Sequence, residues 1–459
     1  MIAAASEIAA PPLAQKLAPS RYLGYGLGDL AFNFYWLPLN FFLAKYYTDV
    51  LGLSSSIAGL ITFTCLLWDG FIDPAIGVIA NRTRSRFGRY RPYMLYGCVP
   101  LAASFTLMFF PVALKDTSLI IYAFATQLLF RTSYAAVNIP YGAMMASMTR
   151  DSMERNWLAG VRMFCAFGGS AVVGYYTPRL VAYFQVDYGA SAYFVSTGIL
   201  STIAIVVILL SFAMTEERIQ VEEEKRDSLG AMLRMIGNNK PFLLAMSGIA
   251  LFSFTNVIVS SSIAYFVQYY MGESQEVTGD IAGMIPMMQL IAIIPWTIAG
   301  RYLGKRWAWI VGLLIAAVAL FTLYLLDKPS MRTVYVLFAI YAVGCASIAV
   351  NFWSMVPDTV EYGEWKSGVR AEGFIFGFVT LVQKSALGIA SAFFGIYLSW
   401  IGYVANQPQT AATLSGLKVL LTLIAIVGLA ASSIVIYFYR LNVESHAQIV
   451  RDIAARKPA

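Results

Sequence analysis

The sequence predicts an all-α membrane protein with twelve transmembrane helices in two six-helix bundles. The first reason is composition: 59% of the 459 residues are hydrophobic and 12% are charged, whereas soluble domains carry about 25% charged residues. The second is that many apolar runs reach the ~20 residues that cross a bilayer. The third is a long charged stretch near the middle of the chain, with six apolar runs on each side. An even division of this kind is typical of transporters built from two related bundles.

The elements follow in order along the chain. Residues 1–21 lack the basic start and apolar core of a signal peptide, so we expect a cytoplasmic N-terminal tail. Apolar runs predict segments one to twelve at 22–47, 55–80, 93–113, 118–148, 156–184, 192–214, 241–271, 280–300, 307–326, 333–356, 372–402 and 412–440. The expected domains after this tail are an N-terminal bundle (22–214), a cytoplasmic central loop (215–240), a C-terminal bundle (241–440) and a cytoplasmic C-terminal tail (441–459).

Lysine and arginine are unevenly distributed among the connecting loops. The connections 81–92, 149–155, 215–240, 301–306 and 357–371 are rich in them, and the alternate connections are poor. Because positively charged loops stay on the cytoplasmic side, we expect both termini inside a plasma (inner) membrane. The net charge of +7 then reflects membrane topology, and no nucleic-acid partner is expected.

The sequence lacks the motifs of enzymes and ATP-driven pumps. It has no P-loop, no zinc-type spacing of Cys and His and no nucleophile motif, and its one histidine, His446, lies in the C-terminal tail. We therefore expect no enzymatic activity, no cofactor and no certain metal site. The expected partners are a small-molecule substrate and membrane lipids, and the protein is expected to be a monomer.

Two aspartates interrupt the second apolar segment. Asp69 and Asp73 are spaced i, i+4, so both project from one helix face. By helical rise they lie about 18 Å and 12 Å from Asn81 at the end of the segment. Each ionised carboxylate inside the bilayer costs about 2.5–3.5 kcal/mol, and such residues are functional candidates. Lys384 and Arg162 lie at similar depth and are the candidate counter-charges. We expect a cation-coupling site; the alternative interpretation is a static salt bridge.

Polar side chains on other segments predict a substrate cavity. Amides and hydroxyls that share a helix face suit a polyhydroxylated solute, although interhelical hydrogen bonding is the alternative. The predicted substrate-binding residues are Asn33, Asn40, Tyr134, Asn138, Arg162, Thr380 and Lys384. A further group of charged residues is expected to lie at helix ends and to serve snorkelling or gating: Asp29, Lys45, Arg131, Arg179, Asp358, Glu361 and Glu364.

Several stretches are recognisable together: YGLGDLAFNFYW (25–36), YYTDVLGLS (46–54), WDGFIDPAIG (68–77), NRTRSRFGRYRPY (81–93), VNIPYGA (137–143) and EYGEWKSGVRAEG (361–373). They resemble the glycoside–pentoside–hexuronide:cation symporters, the melibiose permease-like branch of the major facilitator superfamily. The resemblance covers almost the whole chain. It implies a twelve-helix symporter that moves a sugar-like solute with Na⁺, Li⁺ or H⁺. It also implies that Asp69 and Asp73 match the family's cation-site pair, that Lys384 matches its helix-eleven lysine and that Arg162 matches its helix-five arginine.

The chain departs from the galactoside-carrying members of that family. Asn33 and Asn138 stand where those members have sugar-binding aspartates, which puts galactoside specificity in doubt but leaves a polar solute expected. Ile72 and Ala135 stand where a sodium site has an Asn and a Thr. Sodium prefers several oxygens, whereas a proton needs one desolvated carboxylate. We therefore favour H⁺ as the coupling ion, and Na⁺ at Asp69 and Asp73 stays an alternative.

The expected mechanism is alternating access between the two bundles. A cytoplasmic gate is expected to pair when the inside is closed, and its predicted residues are Arg82, Arg84, Arg86, Arg89, Glu361, Glu364, Arg370 and Glu372. Three other functions stay open: an organic-anion or hexuronide symporter, a transporter of an amphipathic lipid such as a lysolipid, and a sensor without transport activity.

Overall fold

The computed structural model describes residues 16–149, 152–218, 229–368, 372–441 and 443–456, and the secondary structure within them is helical throughout. The long helices of the first half are α1 (Pro19–Lys45), α2 (Ser55–Arg82), α3 (Arg91–Met108), α4 (Asp116–Met148), α5 (Ser152–Tyr188) and α6 (Ala192–Met214). Those that follow the short α7 (Leu229–Asn238) are α8 (Lys240–Tyr265), α9 (Gln275–Leu303), α10 (Lys305–Leu325), α11 (Met331–Ser367) and α12 (Glu372–Trp400). Helices α13 (Ala411–Val419) and α14 (Ala425–Tyr437) join through a π-helical turn, and α15 (Val443–Arg456) comes last.

The expectation of an all-helical membrane protein is confirmed. Within the described residues, eight helical segments are long and apolar enough to cross a bilayer, and one of them, Trp157–Met214, contains most of α5 and all of α6. Helices α1, α3 and α4 pack among these segments. The arrangement is consistent with the twelve predicted spans.

One boundary differs from the sequence expectation in a way that affects function. The tenth predicted segment ended at residue 356, but α11 continues to Ser367 with Pro357 inside it. It stops at Gly368, whose φ of 72° is the left-handed conformation that ends helices. Glu361 and Glu364 therefore lie on the last turns of a helix, and not in a loop.

The first helix of each half ends in the same way. A π-helical turn follows α1 at Tyr46–Val50, and another follows α8 at Phe266–Tyr270. Each is followed by a glycine with positive φ, Gly52 at 74° and Gly272 at 73°. Gly52 and Gly272 each lie six residues after the start of the π-helical turn, and this repeat supports the expected relationship between the halves.

The two halves meet along three seams: α2 with α12, α5 with α9, and α1 with α8. Glycines let the helices approach closely at the end remote from the chain termini, which we call the far end. A Cβ added at Gly59 would lie 2.5 Å from the Ser391 carbonyl oxygen, and one at Gly283 would lie 2.8 Å from that of Ala171. Small residues of this kind are typical of tight helix contacts in membranes.

Polar contacts also join the halves at the far end. The Asp49 carboxylate, which pairs with Lys45, accepts hydrogen bonds from Tyr269 at 2.9 Å and Tyr403 at 2.6 Å. Arg179 on α5 lies 2.6 Å from Asp280 on α9. The far end is therefore closed by contacts between the halves.

The opposite end, which carries the chain termini and which we call the terminal end, differs. Polar contacts there, such as Lys305 with Asp358 at 2.6 Å, join elements of one half. A cavity opens between α2 and α12 on this side.

Candidate functional site

The two aspartates of α2 meet a lysine from the other half of the chain. The Lys384 ammonium on α12 contacts Asp73 Oδ2 and lies 3.2 Å from Asp69 Oδ2. The i, i+4 spacing on α2 places both carboxylates toward α12, so one ammonium can bridge them. The predicted meeting of Asp69, Asp73 and Lys384 is thus present in the structure.

A second cation belongs to this group. Arg131 on α4 lies 3.4 Å from Asp69 Oδ2, and both side chains are buried. Arg131 was expected at a helix end, but it lies near the middle of α4. Its signal in the sequence was an arginine far from either end of a long apolar run. We call Asp69, Asp73, Arg131 and Lys384 the charge cluster.

The charge cluster balances two negative with two positive side chains, which is how buried charges are usually accommodated. One oxygen of each carboxylate, Asp69 Oδ1 and Asp73 Oδ1, is buried and has no hydrogen-bond partner among the described residues. These oxygens can accept a proton or coordinate a cation. Within the described residues, no three His, Cys, Asp or Glu side chains converge as a metal site would require.

A cavity of about 530 Å³, which we call the coupling cavity, reaches the charge cluster from the terminal end. Its polar lining is Asp69, Asp73, Thr380 and Lys384, and its apolar wall includes Ile139, Phe374, Phe378 and Leu381. The predicted residue Thr380 therefore shares the cavity with Lys384. Its own hydroxyl donates to the Phe376 carbonyl oxygen at 3.2 Å.

Arg162 does not lie where the sequence interpretation placed it. It was expected beside Asp69 and Asp73, but its guanidinium forms an ion pair with Asp29 on α1. It also lies 5.5 Å from the centre of the Tyr141 ring. Asp29, which was expected to snorkel or gate at a helix end, is instead buried in this pair. The first half thus neutralises Arg162 with its own carboxylate.

A second cavity of about 250 Å³, the interbundle cavity, lies between α1 and α5 on one side and α8, α9 and α11 on the other. It contains the predicted residues Asn33 and Asn40, together with Trp36. The Asn33 amide donates to the Asp29 carbonyl oxygen at 2.8 Å and accepts from Ser170 at 2.6 Å. The second half contributes Asn256 and Gln289, which the sequence interpretation missed.

The predicted binding residues Tyr134 and Asn138 lie outside both cavities. Both are half-buried on α4, and neither is among the residues that line the coupling or the interbundle cavity. The Tyr134 ring packs against Phe32, Phe130 and Trp36. It supports the Trp36 side chain at the edge of the interbundle cavity.

The predicted gate residues lie at the terminal end. Arg82, Arg84 and Arg86 are exposed, and Arg89 donates its backbone N–H to Glu217 at 2.9 Å. Glu361 contacts His446 of α15, and Glu364 is buried. Arg370 lies outside the described residues, and so does the side chain of Glu372. The arginine loop and Glu361 thus each bind a partner within their own half, as expected where the terminal end is open.

Comparison with known proteins assigns the family. The model of the MFS/sugar transport protein family matches residues 24–443. The uncharacterized symporter YnaJ of Bacillus subtilis (strain 168) is 30% identical over 96% of this chain and 96% of its own length. The isoprimeverose transporter of Lactiplantibacillus pentosus is 31% identical over 92% of this chain and 89% of its own length.

A solved structure shares the fold. The crystal structure of a bacterial homologue of the human lysosomal transporter Spinster, inward-facing and unoccupied, superposes with a TM-score of 0.66. The superposition covers 94% of this chain and 97% of the Spinster homologue, and the two sequences are 14% identical, so the likeness concerns the fold alone. These relatives are transporters and not enzymes, which agrees with the motifs absent from the sequence. The chain therefore belongs to the MFS/sugar transport protein family, among the glycoside–pentoside–hexuronide symporters of the major facilitator superfamily.

Proposed function

We propose that this protein is a secondary active symporter that carries a sugar, glycoside or related polar solute together with a cation. The observation that carries the proposal is the bridge from Lys384 to Asp69 and Asp73, because it joins the two halves through buried charges. Because the bridge crosses the seam between α2 and α12, the occupancy of a cation site at the two carboxylates can change how these helices pack. The names of its relatives, which include a symporter and a sugar transporter, support the same function.

The proposed coupling step is neutralisation of the carboxylates. When a proton or cation occupies the free oxygens of Asp69 and Asp73, the attraction for Lys384 weakens. The halves can then rock, so that the far end opens as the terminal end closes. We favour H⁺ because a proton needs one carboxylate oxygen, and because Lys384 and Arg131 already neutralise the pair. Na⁺ is the alternative, and it would need further oxygen ligands.

The membrane orientation is part of the proposal. The arginine-rich loop at the terminal end favours a cytoplasmic position for both termini, in a plasma (inner) membrane. The structure then corresponds to an inward-open state. The arginine loop, with Glu361 and Glu364 on the end of α11, would pair when that side closes. We propose that the monomer is the functional unit, since both cavities lie within one chain.

The test is uptake into proteoliposomes containing the purified protein. A panel of radiolabelled neutral glycosides, hexuronates and a lysophospholipid is offered with an imposed proton gradient, an imposed sodium gradient or neither. We expect accumulation of a sugar-class solute that depends on the proton gradient. The lysophospholipid is included because the apolar wall of the coupling cavity is the feature that favours an amphipathic solute. Absence of gradient-driven uptake of every sugar-class member would overturn the proposal.

A further inference from the structure

The interbundle cavity contains two side-chain amides that the protein leaves without partners. Asn256 on α8 and Gln289 on α9 are half-buried, line the cavity and form no hydrogen bond with any other residue that the structure describes. Two other amides in the helices do have partners: Asn40 donates to the Trp36 carbonyl oxygen at 2.9 Å, and Asn351 donates to that of Ser347 at 2.8 Å. Because an unsatisfied amide in an apolar surrounding is costly, Asn256 and Gln289 must meet water or a ligand in the cavity.

The lining of this cavity is polar but uncharged. Its polar side chains are amides and hydroxyls, from Asn33, Asn40 and Ser170 in the first half and from Asn256, Ser260, Gln289 and Tyr341 in the second. The nearby cations of the first half are paired: Arg162 with Asp29, and Arg131, which lies 5.8 Å from the centre of the Trp36 ring, with Asp69 at 3.4 Å. Lys384 lines the coupling cavity instead, between two carboxylates. An anionic solute here would find no free counter-charge to compensate the loss of its hydration.

The chemistry of the lining matches an uncharged sugar. Each amide offers both donors and an acceptor, as each sugar hydroxyl does, so the two can bond in either direction. Trp36, at the cavity edge, presents an aromatic surface of the kind that packs against the C–H face of a pyranose ring. The lining comes from both halves, so a ligand held here would contact both bundles.

We propose that Asn256 and Gln289 are the sugar-binding residues of the second bundle, and that the ligand is an uncharged sugar or glycoside held between them, Asn33 and Trp36. This inference rests on the proposed function and specifies its substrate class. It excludes hexuronates as the preferred substrates, because the described residues that line the cavity include no cation.

The experiment compares proteoliposomes of the full chain and of the variants Asn256→Ala and Gln289→Ala. The uncharged probes are isoprimeverose, melibiose and methyl β-D-xyloside, and the anionic probes are D-glucuronate and D-galacturonate. We expect the wild type to carry an uncharged probe. For that probe, each variant should raise KM by about three- to tenfold, the effect of losing one or two neutral hydrogen bonds, with Vmax within about twofold. Thr297→Val, on the exposed side of α9, is the matched control and should change neither parameter.

The outcomes separate the two proposals. Preferred uptake of glucuronate or galacturonate would leave the symporter function standing and overturn the inference of an uncharged ligand. Uptake of an uncharged probe with unchanged KM in both variants would overturn the assignment of Asn256 and Gln289. Failure of the wild type to carry any probe would remove the proposed function and this inference together. If an alanine variant does not reach the membrane, Asn256→Ser and Gln289→Met replace it in the same comparison.

Discussion

At the residue scale, the central feature is one ammonium shared by two carboxylates. Lys384 reaches both Asp69 and Asp73, and Arg131 supplies the second positive charge. Breaking a buried ion pair by removing one partner is costly, because the remaining charge stays buried and unpaired. The four side chains are therefore expected to behave as one unit, so that a substitution of one alters the charge balance around the other three.

The first prediction concerns the coupling role of Asp73. The substitution Asp73→Asn keeps the shape of the side chain but removes its negative charge and its capacity to take up a proton. We expect it to abolish uphill accumulation in proteoliposomes while leaving exchange of substrate across the membrane at a measurable rate. Lys384 retains Asp69 as its partner, so the protein should still fold. Full concentrative uptake by this variant would remove the coupling role of the pair.

The second prediction concerns Arg131, which the sequence interpretation had placed at a helix end. Arg131→Gln leaves the two carboxylates with one ammonium, so we expect the free energy of unfolding to fall by about 3 kcal/mol. The double variant Asp69→Asn, Arg131→Gln removes one charge of each sign and should recover part of this loss. Thermal unfolding of the detergent-solubilised protein measures both effects.

A matched control for Arg131 exists at the far end. The pair of Arg179 and Asp280 has side chains that are 27% and 31% exposed, so Arg179→Gln should cost about 1 kcal/mol or less. A loss for Arg131→Gln no larger than this control would show that the charge cluster adds little to stability.

At the scale of elements, the seam between α2 and α12 combines two different surfaces. Toward the far end, glycines bring the helices into close contact, and a Cβ added at Gly395 would overlap the Ser55 carbonyl oxygen. Toward the terminal end, the same helices separate around the coupling cavity. The charge cluster lies between the two surfaces. Neutralisation of the charge cluster is therefore expected to shift α2 and α12 between the packing that closes the far end and the packing that opens it.

The third prediction tests this seam. Gly395→Val should force α12 away from α2 at the far end and so disfavour the state in which that end is closed. We expect spin labels placed at the far ends of the two helices to move apart, and transport to fall at least tenfold. Gly160→Val on α5 is the control, since Gly160 is exposed and a Cβ there meets no other atom within 4 Å. Equal effects of the two substitutions would contradict the proposed role of the glycine contact.

At the scale of the whole molecule, the asymmetry between the two ends defines the state of the transporter. The far end is joined across the halves through Asp49, Tyr269 and Tyr403. At the terminal end, Glu217 accepts backbone N–H bonds from the arginine loop of its own half, and Glu361 contacts His446. Alternating access requires these two sets of contacts to form and break in turn.

The fourth prediction is the sidedness of the coupling cavity. A cysteine introduced as Thr380→Cys should react with a membrane-impermeant thiol reagent only from the side that carries the termini. Gln407→Cys, in the exposed far-end loop, should react only from the opposite side. The four native cysteines, Cys65, Cys98, Cys165 and Cys345, are buried and need not be replaced. Labelling of inside-out and right-side-out vesicles makes the measurement. Reaction of both positions from one side would contradict the proposed orientation.

The sequence by itself determined those features that depend on residues close together in the chain. Apolar runs of sufficient length predicted the helices, and i, i+4 spacing put Asp69 and Asp73 on one face, because helical geometry is local. Recognisable stretches along the chain were enough to indicate the family. The continuation of α11 through Pro357 was missed, because the packing of a helix can override a local stop signal.

Only the tertiary structure decided which charges meet. Nothing local distinguishes Arg162, which binds Asp29, from Arg131, which binds Asp69; the choice depends on how the helices pack and rotate against one another. The same packing leaves Asn256 and Gln289 facing a cavity without partners, and it closes the far end through glycine contacts. The reason is physical: a residue's helix face follows from the local sequence, but the surface opposite that face belongs to another helix, which for Asp73 and Lys384 is 311 residues away along the chain.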